Sequence, residues 1–533
     1  MRTGSVIAIS VLLTVLCLVL VTTIRSPEKD DVAWLLYVAR KWLAGQKLYE
    51  DLVEVNPPLI VWLYAIPAQI AIWLNAAPKL IAIPFFASLV LGSAWWCACL
   101  LQGRGPLFAS RTPVFAVIGG VLLVVPGVEF GQREHLLTAS VLPYLCIMAG
   151  WLDGSQPKGR RWLAAMLAAG AVAGLGAAFK PIYAVAFVLP ELLGWLRGRR
   201  IIRIAPMSAF VAAALYGASV LLFCPAFLQH AVPLALALYG GTDTAYPALL
   251  AEARVVLAGI AVGMLLWIVS RRQLAARRSY TLCLFEVLIT FTIGATAVYV
   301  FEGKDWFYHR IPATMTAVLA LVLWAAEIVP TLKLSRLRLP TLAQQRPLLL
   351  ASALLTFGSL TSFAYAGAVR MLPWVEEAVE PDLSTEVRLE RLLKREHART
   401  YVAFSEWIGL GFPVVNNTGV VWTSRFDSMW ALKGELWRAR QDGQEPADWP
   451  IRHWVARDFI AGCPDIVVVD ARANVGINYV AVLIASDAAF AQAWTHYHQI
   501  AMISGLRVLK REGTTCIQHS NRPKIATAAI QAP

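Results

Sequence analysis

Charge is scarce in this chain. Only 15% of its 533 residues are Asp, Glu, Lys or Arg, where soluble domains carry about 25%. Length alone would suit three or four soluble domains of roughly 150 residues each, but that scarcity, a 58% hydrophobic share and a mean hydropathy of +0.59 exclude them. Disorder, which needs low hydrophobicity, is excluded by the same figures. Cysteine is sparse too. The eight present form no CxxC pair and no His/Cys metal spacing, and Cys17, Cys97, Cys99, Cys146, Cys224 and Cys283 lie in apolar runs. Cys463 and Cys516 are left as the pair open to a disulfide. Acidic residues are outnumbered, giving a net charge of +13, yet the Lys and Arg gather in short loops between apolar segments. There they set topology, and no nucleic-acid site is read from them.

What is present is a series of apolar runs, recurring from Ser5 to Gly367, near the length that crosses a roughly 30 Å hydrocarbon core. The first, Ser5 to Ile24, has no small-x-small cleavage site before Arg25 and reads as an uncleaved span with a cytoplasmic N-terminus. Further spans are expected near 79–101, 113–127, 136–151, 163–179, 182–196, 205–224, 254–270, 280–301, 311–329 and 347–368. That makes eleven. Leu59 to Leu74 is apolar as well, but parity places it along the outer interface. With it lying flat, seventeen Lys and Arg, from Arg104 to Arg346, face the cytoplasm, and only Arg133, Lys180, Lys304 and Arg310 face outward. Making it a span would invert the positive-inside rule.

The outward loops hold the chemistry. In the first, Val32, Leu35, Leu36, Ala39 and Leu43 fall on one helical face, as in a helix lying on a membrane surface. Asp30 and Asp31 stand at its N-terminus, where the helix dipole favours negative charge, and Asn56-Pro57 reads as a cap followed by a first-turn proline. Helix capping by itself accounts for both. The other outward loops add Glu129, Arg133, Glu134 and His135, then Lys180, then Glu302, Lys304, Asp305, Tyr308, His309 and Arg310. Carboxylates with Lys, Arg and His on one side of a membrane suit a hydroxyl nucleophile meeting a phosphate leaving group.

On these residues the chain resembles the GT-C superfamily of polyprenyl-phosphate-sugar-dependent glycosyltransferases, in particular the protein O-mannosyltransferase and lipid A aminoarabinose transferase branch. The resemblance covers about residues 1–370. Its pattern is an acid after the first span heading an interfacial helix, then a Pro-Pro-Leu-x-x-Trp segment. Here that reads Asp31, Arg40, Leu43 and Gly45, then Pro57, Pro58, Leu59 and Trp62. The resemblance implies Asp31 as catalytic base and Glu134 as the second acid. Donor phosphate is expected at Arg133, Lys180, Lys304, His309 and Arg310, and substrate contacts at Asp30, Glu54, Asn56, His135 and Tyr308. A basic residue often precedes the proline pair, whereas here it is Asn56, which shifts phosphate binding onto the other loops. No cofactor is fixed, and a divalent metal held by Glu54, Glu134 and His135 is left open. The implied partners are a polyprenyl-phosphate sugar donor, a glycan, lipid or protein acceptor, and the bilayer. The implied location is the inner (cytoplasmic) membrane.

The expected fold is an all-α polytopic membrane protein of about eleven transmembrane helices, with interfacial helices in the first outer loop (25–78) of a catalytic region 1–370. A periplasmic α/β domain, 371–520, and a flexible tail, 521–533, follow. In that domain Leu383 to Glu396 and Pro450 to Ala461 read as helices. Tyr401 to Phe404, Asp465 to Asp470 and one or two strands within Gln499 to Arg511 supply the sheet. The stretch GFPVVNNTGVVWTSRFDSMWAL, from Gly411 to Leu432, reads as an acceptor-binding loop or as core strand and turn. The main rival function is a transporter or lipid-carrier flippase, against which stand the absence of an internal repeat and the placement of the charges at span ends.

Overall fold

The computed structural model describes residues 2–200, 202–273, 279–335, 340–443, 446–472 and 476–513. The expected tail 521–533, Cys516, and the loop charges Arg277, Arg278, Arg336 and Arg338 lie outside the described residues.

All eleven expected spans are helical. In order the helices are α1 (Arg2–Arg25), α2 (Asp30–Leu43), α3 (Pro58–Trp73), α4 (Pro78–Leu101), α5 (Arg111–Val124), α6 (Arg133–Asp153), α7 (Arg160–Ala178), α8 (Val188–Leu196), α9 (Ile204–Phe223), α10 (Val232–Leu238), α11 (Tyr246–Gln273), α12 (Tyr280–Glu302), α13 (Ile311–Ser335) and α14 (Pro340–Val379). Among the described residues nine of them are long and apolar enough to cross a membrane, namely α1, α4, α6, α7, α9, α11, α12, α13 and α14. The chain is a mostly helical, multi-pass membrane protein. Two expected spans are shorter. The fourteen residues of α5 reach roughly 21 Å at 1.5 Å per residue. The other begins as a 3₁₀ helix, Pro181–Phe187, and continues as α8; at about 2 Å per 3₁₀ residue the pair reaches roughly 27 Å.

The chain divides into two compact units, one of Met1–Val21, Ile83–Ala218 and Thr244–Pro373, the other of Thr22–Ala82, Ser219–Asp243 and Trp374–Pro533. In the first unit α12 is central, packing on α6, α13, α11 and the 3₁₀ segment, and only one side of it is exposed. Close approach to the 3₁₀ segment depends on Gly294, where a β-carbon would lie 2.8 Å from the Ala186 backbone. The sharp entry into α6 depends on Gly131, whose φ of +93° is left-handed and whose missing β-carbon leaves room for Phe86.

In the second unit α2 packs against α3. The apolar face read from the sequence is buried, with Val32, Leu35, Leu36 and Ala39 at or below 1% exposure. After α14 come α15 (Thr385–Arg395), β1 (Thr400–Phe404), α16 (Val414–Thr418), β2 (Val421–Trp422), α17 (Trp430–Asp442), α18 (Ile451–Gly462), β3 (Ile466–Asp470), α19 (Tyr479–Ser486), α20 (Ala488–Trp494), β4 (Tyr497–Ile503) and β5 (Leu506–Arg511). The sheet order is β2-β1-β3-β5-β4, parallel across β2, β1 and β3 and antiparallel from β3 to β5 and β5 to β4. The centre strand reads IVVVD and is buried throughout, as a strand covered on both faces must be. Cys463 is disulfide-bonded.

Candidate functional site

Two groups of polar side chains stand out, one in each unit. In the first unit the entrance of α6, the turn after α7 and the turn from α12 to α13 meet. Glu134, in the first turn of α6, is fully buried. Its Oε1 lies 2.8 Å from Lys180 Nζ, and the same Nζ lies 2.7 Å from Glu302 Oε1 at the end of α12. His309 Nδ1 lies 3.0 Å from Glu302 Oε2, and the Tyr183 hydroxyl donates to the His309 carbonyl oxygen. Tyr308 sits over this group, with its ring centre 5.7 Å from the Arg133 guanidinium and 5.9 Å from Lys180 Nζ. One ammonium thus serves two carboxylates while a second cation, Arg133, is 7% exposed beside them. Burying that many charges is costly unless they are paired. Lys180 is placed by the break in its span, where α7 ends and Pro181, lacking an N–H, opens the 3₁₀ turn.

The structure brings together Arg133, Glu134, Lys180, Tyr308 and His309 of the expected site residues, and adds Glu302. It places others apart. Arg310 donates to the Glu252 carboxylate on α11, 3.0 Å from Oε2, and to the Glu252 carbonyl. His135 accepts from the Gly131 N–H at Nδ1 and donates from Nε2 to the Leu122 carbonyl, at 3.1 and 2.9 Å. Both of its ring nitrogens are therefore engaged with backbone. Lys304 is 4% exposed.

In the second unit Asp30 and Asp31 occupy the first turn of α2. Asp30 pairs with Lys29 at 3.1 Å and accepts from the Asp31 N–H. Glu54, 2% exposed, accepts from Trp34 Nε1 and from the Asn56 N–H, and the Asn56 carbonyl accepts from the Tyr49 hydroxyl. The 411–432 stretch lies against this helix. Asn416 Nδ2 donates to the Ala33 carbonyl at 2.8 Å, and the Phe412 ring is 4.8 Å from both Trp34 and Tyr37. Part of the stretch is core, since Phe412, Trp422 and Phe426 are buried.

The same stretch carries an acid that the sequence reading missed. Asp427 accepts from Trp430 Nε1 at 2.9 Å, and burial, followed by the negative charges of Glu54 and Asp31, pushes its carboxyl up to about 8. Asp31 therefore belongs to a group of three carboxyls, one of which is held neutral at pH 7. The signal available in the sequence was an acid inside an aromatic, otherwise buried stretch. Nearby, burial raises Glu28 to about 7 against the opposing pull of Lys79. Among the described residues no group of three or more His, Cys, Asp or Glu is spaced to hold a metal ion.

No family model matches the chain, and no curated protein matches it. Among solved structures it is similar to the archaeal oligosaccharyltransferase AglB from Archaeoglobus fulgidus in complex with an inhibitory peptide and a dolichol-phosphate. The TM-score is 0.44 and the identity 12%, over 92% of this chain and 72% of that one. A second structure of the Archaeoglobus fulgidus oligosaccharyltransferase, tethered with an acceptor peptide through a disulfide bond, gives a TM-score of 0.40 and 13% identity over the same shares. Likenesses of that size carry no argument about this chain.

Proposed function

We propose that this chain is a membrane glycosyltransferase that moves a sugar from a polyprenyl-phosphate-linked donor to a hydroxyl of an envelope glycan, lipid or protein. The reaction takes place at the outer face of the cytoplasmic membrane, with the C-terminal domain periplasmic. The observation that carries it is the buried group of Glu134, Lys180, Glu302 and His309 at the ends of membrane-spanning helices. A transmembrane segment holds such residues at a cost of several kcal/mol unless they are paired; the carboxylates hold Lys180 at the helix ends, and with Arg133 beside it it offers cations to a phosphate at the membrane surface.

The reaction is a single displacement. The acceptor hydroxyl oxygen forms the new bond to the anomeric carbon as the bond to the phosphate oxygen breaks, so the anomeric configuration inverts. The hydroxyl proton passes to Asp31, and the leaving polyprenyl phosphate keeps the electron pair. Because that phosphate departs as a stable anion, no general acid is required; Arg133 and Lys180 supply electrostatic stabilisation. Glu134 and Glu302 hold the Lys180 ammonium in place, and Tyr308 covers both cations. Asp427, held protonated by burial and by the charges of Glu54 and Asp31, adds no further negative charge next to the base. Asp30 and Arg310, engaged with Lys29 and Glu252, are assigned supporting roles.

The test is sugar transfer in proteoliposomes from a panel of radiolabelled polyprenyl-phosphate sugars, wild type against Asp31→Asn at equal protein. Transfer that is lost in the variant supports the reading. Undiminished transfer in Asp31→Asn removes Asp31 as base, and no transfer with any donor removes the enzyme reading in favour of lipid or solute movement.

A further inference from the structure

The first unit contains a cavity of about 280 Å³ with no part in the reaction above. Its walls come from α4, α5, α6, α12 and α13, and every lining side chain is aliphatic, proline, phenylalanine or cysteine. It sits away from the charged group along the same helices. Leu145 follows Glu134 by eleven residues, roughly 16 Å of helix, and Leu284 precedes Glu302 by eighteen, roughly 27 Å. Its mouth is marked by the exposed lining residues Pro113 and Val117 on α5 and Ala326 on α13.

Water has little to bond with there beyond two cysteine thiols. An engineered apolar cavity of about 150 Å³ stays dry and takes up benzene, and this one is nearly twice that size. Since α13 is long and apolar enough to span a membrane, the mouth opens on a face that a bilayer would cover, close to its charged border. The loop from α4 to α5, which contributes Leu107 and Phe108 to the wall, carries the cation Arg104, and Arg111 opens α5. Arg104 is held over the rings of Trp162 and Tyr280, at 4.9 and 5.3 Å, and Arg111 is exposed. Glu327 follows Ala326 on the α13 side, so an anionic headgroup belongs on the α4–α5 side.

We propose that this cavity is a lipid site that holds one acyl chain of an anionic phospholipid, with its phosphate beside Arg104 and Arg111. The distance from Lys180 separates this lipid from the sugar donor, and the proposal stands whether or not the glycosyltransferase reading does.

The test is photocrosslinking of the full chain in vesicles that contain an anionic phospholipid with a diazirine in its acyl chain. Label is expected to concentrate in the peptides holding Leu142 to Cys146 and Leu284 to Leu288. It should fall roughly tenfold, one decade of affinity, in Val117→Trp, which blocks the mouth from an exposed position. Leu288→Trp, which fills the interior, should give the same loss, so either variant that folds decides the matter. Label spread evenly over exposed helices such as α9 and unchanged by both variants overturns the site. Equal labelling by a zwitterionic lipid, or no change of preference in Arg104→Gln, overturns the headgroup assignment. Displacement by polyprenyl phosphate but not by anionic phospholipid overturns the choice of chain.

Discussion

Replacing Lys180 by methionine isolates the energetics of the buried charges. The side chain keeps most of its length, and what disappears is one ammonium bound to two carboxylates at 2.8 and 2.7 Å. At an effective dielectric constant near 20 each contact has a gross Coulomb energy of about 6 kcal/mol, offset by the cost of keeping the ions out of water. Glu134 and Glu302 are 0% and 11% exposed, so the variant leaves two buried like charges with reduced compensation. Breaking such a pair costs about 3–5 kcal/mol, and at roughly 2 °C per kcal/mol for a large chain the melting temperature falls by about 6–10 °C. The molecule carries its own reporters, since Cys97, Cys146, Cys224 and Cys283 are buried thiols; a thiol-reactive dye in detergent follows their exposure on heating. Adding Glu134→Gln and Glu302→Gln to Lys180→Met removes the stranded charges and should recover most of the loss. A single variant that melts within about 2 °C of wild type, or a triple variant no better than the single, would refute this account of the cluster.

Asp31→Asn should lower sugar transfer by about 10²–10⁴, the range for loss of a general base, with melting unchanged, as radiolabel transfer and thermal scans on one preparation would show. Arg133→Gln should lower kcat and kcat/KM for the lipid-phosphate donor together; a wild-type kcat/KM in the variant would remove Arg133 from stabilisation of the leaving phosphate. Asp427 makes stability fall with rising pH. Its carboxyl stays protonated in the folded chain up to about 8 but ionises near its ordinary 3.8 when unfolded, so between those values the folded state binds the extra proton. Asp427→Asn should match wild type near pH 4 and melt higher than wild type above about pH 8, with a residual slope from Glu28; parallel melting curves at both ends of that range would sink the assignment.

Much of the fold was legible because membrane burial writes itself into composition. A lipid-facing helix must satisfy its backbone internally and present apolar side chains, so the nine helices long enough to cross a membrane could be located from hydropathy, and the two shorter apolar ones with them. The amphipathic α2 and the buried centre strand followed from periodicity, which local sequence carries directly. The short reach of α5 and the 3₁₀ start after Lys180 were not legible, because they depend on close packing such as that of Gly294 against Ala186. In the site, Glu134 and Lys180 were marked as charges where charge is expensive. His135 was marked by the same rule, yet its ring is spent on two backbone partners, a fate that only neighbouring turns decide. Asp427 was hidden for the opposite reason. In a soluble domain an acid is ordinary, and only the approach of the 411–432 stretch to α2 makes it unusual.

The carboxyl of Asp427 has a consequence for the order in which the molecule comes into being. Asp31 leaves the ribosome with the first loop, and Asp427 follows almost four hundred residues later, after every candidate membrane span has been made. A nascent chain halted at Val379 holds all the helices that bilayer insertion requires but lacks the neutral acid beside Asp31 and the aromatic ring that packs on Trp34. Insertion of the helices and assembly of the carboxyl group around Asp31 are in this way separate events in time, and the second waits for the residues after Val379 to fold.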